Sequence, residues 1–265
     1  MSLLIDADII TYRAGFACEH RLPDGTKEIE PESYAIHNAR MMIYNMFMRL
    51  ETAEHKLFLT ATNDPTNFRL KIYPEYKANR KKLSRPVHYE AIREFLVNQF
   101  GAEVVYGIEA DDALSIAQYE NMHLPAHPGD TGFCDTCICS IDKDLDIVPG
   151  WHYNFVKGHH YFQTQLEGLR CFYKQILTGD AVDNIPRIKK GWKCKDAFTL
   201  LDKATSESEM FDVVVYEIHD VVFDSATIEP EEVYKLITNR GRLLWPLTKP
   251  EEQWSPTHLL PAQSF

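Results

Sequence analysis

The chain has 265 residues, 45% hydrophobic and 25% charged, a balance that suits a globular fold with a substantial core. Its formal net charge is −11, which on its face argues against a polyanionic partner. No apolar stretch approaches the ~20 residues that span a bilayer. The apolar opening Met1–Ile10 has neither a basic leader nor a small-residue cleavage site, so the expected location is the cytoplasm, with the six cysteines reduced.

In chain order, Ser2–Ile5 reads as a short buried strand that ends at Asp6, and residues 8–19 as helical. Arg21–Ile29 contains Pro-Asp-Gly and predicts a turn or small hairpin. Pro31–Glu54 has helical periodicity, and its Met and aromatic stripe reads as core rather than as a cofactor site. Lys56–Ala61 is a strand, a helix runs from Pro86 to Phe100, Glu103–Tyr106 is a strand and Ala110–Tyr119 a helix. The Gly- and Pro-containing loop Leu124–Gly132 precedes a strand at Ile138–Ile141. Trp151–Phe155 and His159–Phe162 are aromatic strands, Leu166–Leu177 is a helix, and the remainder is mainly helical. Strands alternating with helices predict an α/β domain with a mainly parallel central sheet flanked by helices. The expected divisions are 1–165 for the α/β core, 166–245 for a helical module and 246–265 for a loose, Pro-rich tail.

The charge is unevenly spread. Arg69, Lys71, Lys77, Arg80, Lys81, Lys82 and Arg85 face one acid, Glu75, within seventeen residues. Arg187, Lys189, Lys190, Lys193 and Lys195 form a second basic run without an acid, whereas eleven acids face four bases after Thr205. Two basic patches on an acidic background can still steer a polyanion, because the local field outweighs net charge.

Four acidic groups occupy related places. Asp6 ends the first strand, with Asp8 two residues on. Glu109, Asp111 and Asp112 open the helix at Ala110. Asp142 and Asp144 follow the strand at Ile138. Asp180 and Asp183 lie in a turn after a helix. In an open α/β sheet the carboxyl ends of the strands form the ligand crevice, so these groups are expected to converge there. Gathered carboxylates need compensating positive charge, and oxygen clusters suit Mg2+ or Mn2+. Taken singly, each group also reads as a helix cap, a turn or a strand end. The run from Asp142 to Asp146 is no calcium loop, since its sixth position is Ile147 and its twelfth Tyr153. Cys134, Cys137 and Cys139, with His123 and His127 upstream, have a spacing compatible with zinc, but no second pair accompanies them and reduced thiols are the default.

Leu4-Ile-Asp-Ala-Asp8, Phe68-Arg69, Tyr76-Lys-Ala-Asn-Arg80, Glu109-Ala-Asp-Asp112, Asp142-Lys-Asp144 and Gly179-Asp-Ala-Val-Asp-Asn-Ile-Pro186 stand in an order that resembles the 5′-nuclease, flap endonuclease-like family, bacteriophage 5′→3′ exonucleases in particular. The resemblance implies a PIN-like nuclease core that uses two divalent ions, Mg2+ or Mn2+. Asp6, Glu109, Asp111 and Asp112 would form the first metal group, and Asp142, Asp144, Asp180 and Asp183 the second. Lys77 and Arg80 would contact the scissile phosphate, and Tyr76 would stack on a base or pack in the core. Lys81 and Lys82 would add to DNA binding. Residues after about Ile185 would form a helix-hairpin-helix-like module, with Lys189, Lys190, Lys193 and Lys195 on duplex phosphates. The implied substrate is DNA with a 5′ end, nick or flap, together with RNA–DNA hybrids, during replication or degradation of DNA in a host cytoplasm.

The sequence departs from the family's pattern in three places. Thr62 replaces an aspartate expected before Phe68-Arg69, and Asp64 is differently placed. The hairpin keeps only Gly191. Seven residues between Arg80 and His88 are too few for a full helical arch. A non-catalytic protein that recognises DNA structure on the same fold, and a PIN-like ribonuclease, are the competing readings.

Overall fold

A computed structural model describes residues 1–82, 84–127, 129–189, 195–223 and 230–259. The central sheet grows from β1 (Ser2–Asp6), whose residues alternate between two covered faces. Leu3 and Ile5 enter one core while Leu4 enters the other. Strand β4 (His55–Thr60) repeats the pattern, with Leu57 and Leu59 on one face and Phe58 on the other. So does β8 (Thr136–Cys139), where Cys137 and Cys139 oppose Ile138. Burial on both faces explains why these strands read as nearly unbroken apolar runs.

The first face is covered by α1 (Ala7–Phe16), α2 (Glu32–Leu50) and α4 (Tyr89–Phe100), the second by α5 (Ala110–Glu120). The sheet order is β10-β9-β8-β1-β4-β5, where β5 is Glu103–Val105, β9 is Gly150–Asn154 and β10 is His159–Gln163. All neighbours pair in parallel except β9 with β10. The chain first steps from β1 outward through β4 to β5, then returns to the other side of β1 at β8. That reversal opens a crevice beyond the carboxyl ends of β1, β4 and β8. Two small antiparallel pairs lie outside the sheet: β2 (Glu19–Arg21) with β3 (Lys27–Ile29), and β6 (Met122–His123) with β7 (Phe133–Cys134).

A third core joins α6 (Gln165–Thr178), α7 (Lys195–Lys203), α8 (Glu207–Phe223) and α9 (Pro230–Leu244). Helix α6 also packs on the 3-10 turn Lys143–Ile147, which ties this helical region to the sheet. Gly168 permits the approach, since a Cβ there would lie 2.3 Å from the Ile147 carbonyl oxygen.

The expected loose tail is corrected by the structure. Leu247 and Trp254 are buried, and the Trp254 ring meets Phe172 at 5.1 Å between centroids. Gly241 leaves room for that indole. A tryptophan returning to an apolar helix face outweighs the polar composition around it. Residues 260–265, also assigned to the tail, lie outside the described residues. No helix among the described residues is long and apolar enough to cross a membrane.

Candidate active site

The crevice holds a cleft of about 260 Å³. Seven of the eight expected carboxylates line it: Asp6, Glu109, Asp111, Asp142, Asp144, Asp180 and Asp183, with Asp8 beside them. They arrive from four separate stretches of chain.

Asp6 is the last residue of β1 and the cap of α1. Its Oδ1 accepts from Ile9 N at 3.0 Å and its Oδ2 from Ser140 Oγ at 2.7 Å. Ser140 Oγ in turn accepts from Asp142 N at 3.0 Å, and Asp142 Oδ1 accepts from Asp144 N at 2.9 Å. The ends of β1 and β8 are thereby linked through one serine. Asp8 leans to the other side, accepting from Thr60 N and from Arg93 Nη1, both at 3.1 Å.

This half of the cleft has too little positive charge. Burial, then Asp8 and Asp142, push the Asp6 carboxyl up to about 7 despite its hydrogen bonds. Burial, then Asp6 and Asp142, hold Asp111 well above the usual carboxylate range. Burial, then proton sharing with Asp180 and the charge of Asp142, push Asp144 up to about 8. Gln175 Nε2 on α6 donates to Asp144 Oδ1.

The opposite wall is well supplied. Burial alone would raise Glu109, but Lys77 and Arg69, with hydrogen bonds from Lys77 and Tyr76, hold it at about 2. Lys77 Nζ is 2.7 Å from Glu109 Oε2 and 3.6 Å from Asp183 Oδ2. Arg80 Nη2 donates to Asp183 Oδ1 at 2.6 Å. Asp183, expected in the second acidic group, therefore stands with these cations, while Asp144 and Asp180 stay together.

Two loops interlock to make this wall. Lys77 takes a left-handed φ of 55°, and its N–H donates to the Asp183 carbonyl at 2.9 Å. Asn79 Nδ2 donates to the Ala181 carbonyl and Asn184 Nδ2 to the Glu75 carbonyl, each at 2.8 Å. Such bonds offset the cost of an unusual backbone conformation beside a functional group. Gly179, with φ 65°, starts the second loop where a Cβ would lie 2.3 Å from the Ile185 carbonyl oxygen.

The place expected for Asp112 is corrected, one of the two readings of Tyr76 is favoured, and Asp64 gains a role. Asp112 turns away from the cleft: it is 0% exposed, and both its oxygens receive the Arg69 guanidinium, at 2.6 and 2.8 Å. A carboxylate neutralised in this way has no lone pairs to spare for an ion. Tyr76 is buried, and its hydroxyl donates toward Glu109 and Asp183, so its ring packs rather than offering a stacking face. Asp64 organises a loop, taking the N–H of Thr66 and of Gly107. Lys189 and Lys195 are exposed, whereas Lys190, Lys193 and the side chains of Lys81 and Lys82 lie outside the described residues. Between the 3-10 turn Ala78–Lys82 and α4 the described residues contain no further helix.

The sequence reading missed Arg69, Gln175, Ser140 and Arg93 as members of the site. Arg69 is marked in the sequence only as part of the Phe68-Arg69 motif, and Gln175, Ser140 and Arg93 carry no local signal. Cys134, Cys137 and Cys139 are buried free thiols, Cys137 and Cys139 within the sheet core. Among the described residues no group of three or more His, Cys, Asp or Glu side chains is arranged to hold a metal ion. The donor chemistry of the cleft nevertheless fits a hard divalent cation, because desolvated, mutually repelling carboxylate oxygens are what such an ion stabilises.

The chain is 27% identical over 201 residues to the exonuclease of Escherichia phage T7, a match that covers 72% of this chain and 63% of that protein. It has the same identity and coverage with the exodeoxyribonuclease of Enterobacteria phage T3. It thus spans less than two thirds of the length of these relatives. In fold it is similar to the T5 D15 protein crystallised with metal ions, with a TM-score of 0.52 at 16% identity over 91% of this chain and 94% of that one. It is also similar to the bacteriophage T5 flap endonuclease in complex with DNA and metal ions, with a TM-score of 0.50 at 16% identity over the same shares. The family described as 5′–3′ exonuclease, N-terminal resolvase-like domain, matches residues 1–161, more than half of the sequence, and the chain belongs to that family.

Proposed function

We propose that the protein is a divalent-metal-dependent phosphodiesterase that degrades duplex DNA from a 5′ end and also cuts at flaps. The observation that carries this reading is the division of one cleft into two walls. One wall holds desolvated carboxylates with little counter-charge, Lys143 at 3.7 Å from Asp144, and the other holds Lys77 and Arg80 on ion pairs. Asp6, Glu109 and Asp111 would hold one ion and Asp142, Asp144 and Asp180 a second, Mg2+ or Mn2+. Bound ions of this kind activate water and stabilise charge on phosphate oxygens. Asp112 would serve the fold instead.

Lys77 and Arg80 sit where a phosphate entering the cleft would compete with Glu109 and Asp183 for them. They would orient that phosphate and offset the charge that develops on its oxygens. Asp8, held by Arg93 and Thr60 N–H, keeps α1 against β4 and so keeps Asp6 in place. Lys189 and Lys195 would hold the duplex through its backbone without reading sequence. The short connection after Arg80 favours substrates whose 5′ end is already at the cleft over long threaded flaps. Cleavage of RNA–DNA hybrids and a role in phage DNA replication or degradation, in the host cytoplasm, belong to the same reading.

The test uses end-labelled nicked, gapped, flapped and RNA–DNA hybrid duplexes with Mg2+, Mn2+ or chelator. Short 5′-derived products that vanish with chelator and in Asp144→Asn, while DNA is still bound, are expected. Binding without turnover in either metal would refute nuclease activity, and cleavage of RNA alone would make the protein a ribonuclease.

A further inference from the structure

A buried ion pair, Arg69 with Asp112, lies at the back of the cleft. Arg69, on the short helix α3 (Phe68–Ile72), is 4% exposed, and its donors face two directions. Nη1 and Nη2 grip Asp112, while Nε donates to the Leu243 carbonyl at 3.0 Å and Nη2 to the Trp245 carbonyl at 3.2 Å. Asp112 Oδ1 receives Leu247 N at 3.0 Å, and Oδ2 receives Glu109 N at 3.0 Å. One ion pair therefore joins three distant pieces of chain: α3, the start of α5 and a strap, Leu243–Leu247, that begins at the end of α9.

The strap is also part of the cleft, since Leu243, Leu244 and Pro246 line it with Arg69. The first turn of α5 carries Glu109 and Asp111. Asn67 adds a second tie, donating to Glu109 Oε1 at 3.2 Å while its Oδ1 accepts from Arg69 N at 3.0 Å. Arg69 thus brackets Glu109 through its backbone on one side and through Asp112 on the other.

We infer that Arg69 and the strap Leu243–Leu247 are positioning elements for the carboxylates on α5, so that the cleft is incomplete without a segment beyond the 1–161 match. This rests on the proposed metal-dependent reading for its link to activity, but not for its structural readout. Arg69, with its donors engaged by Asp112 and the strap carbonyls, acts through Asp112 and sets where Glu109 and Asp111 stand. Supporting groups of this kind change metal affinity by about 10–100-fold when removed.

The test compares the full chain with Arg69→Gln and Arg69→Lys in four measurements. These are hydrogen exchange in the metal-free protein, calorimetric titration with Mg2+ and Mn2+, kcat and KM on a nicked duplex, and melting temperature. Arg69→Gln is expected to raise exchange in residues 109–113 while β1 and β4 keep their protection. Affinity for the divalent ion should fall about 10–100-fold, with kcat reduced more than KM rises. Arg69→Lys should recover part of each loss. Leu247→Pro, which deletes one N–H donor to Asp112, should loosen the same turn, and it carries the test if the Arg69 variants do not fold. Unchanged protection at 109–113, or loss of protection spread equally over β1 and β4, overturns the inference. If the wild type neither binds divalent ions nor cleaves DNA, the nuclease reading fails, while the exchange result still decides the role of the strap.

Discussion

Asp6 makes the metal-free protein sensitive to pH in an unusual direction. Its carboxyl ionises near 3.8 in an unfolded chain but at about 7 in the fold, because burial and the charges of Asp8 and Asp142 oppose ionisation. Between those values the folded state binds more protons than the unfolded state. Stability therefore falls as pH rises through that window. From pH 5 to pH 8 this one carboxyl removes roughly 2.5 kcal/mol, at about 1.36 kcal/mol per pH unit up to its midpoint. Asp144, ionising at about 8, pulls in the same direction. Glu109 is fully ionised across this range and adds no slope. His152, buried and held below its usual range, gives an opposite slope around its unfolded value of 6.5, with or without a cation. The assay is urea unfolding at pH 5, 6, 7 and 8, in chelator and in saturating Mg2+ or Mn2+. The difference between the two conditions isolates the cleft, because a bound cation replaces the protons. The cation should stabilise little at pH 5 and by several kcal/mol at pH 8. Superimposed curves, or a cation effect that shrinks with rising pH, would refute the reasoning.

Two further expectations follow from the opposite wall. Lys77→Ala should lower turnover on the order of 100-fold, as loss of a group that offsets transition-state charge does, with little change in DNA affinity measured in chelator. An equal loss in affinity alone would make Lys77 a docking residue. Gly179→Ala should destabilise the protein by roughly 2–3 kcal/mol in chemical unfolding, because the backbone is left-handed and the Ile185 carbonyl leaves no room for a methyl group.

Much of the architecture was legible because its causes are local. Apolar runs bounded by turn residues marked β1, β4 and β9, and helical periodicity marked α2, α5 and α6. The placement of acids at strand ends was enough to expect one cleft. What sequence could not reveal was which acids already have partners. Asp112 and Asp111 are adjacent and chemically identical, yet one meets a guanidinium from 43 residues away and the other faces the cleft. Asp183 reads as a companion of Asp180, yet the interlocked loops turn it toward Lys77 and Arg80. Composition was equally blind to the tail, where Trp254 finds its pocket only after α6 and α9 are packed. Pairing across long separations is decided by tertiary geometry, on which a window of neighbouring residues has no bearing.

The contact between Leu247 and Asp112 spans 135 residues. At about 5–20 residues per second, a ribosome needs roughly 7–27 seconds to travel that distance. Throughout that interval the first turn of α5 exists without the strap that completes its surroundings. A growing chain therefore carries all its cleft acids through Asp183 well before the last wall of the cleft is made. Under the function proposed above, the order of synthesis leaves the cutting centre without its strap throughout that interval.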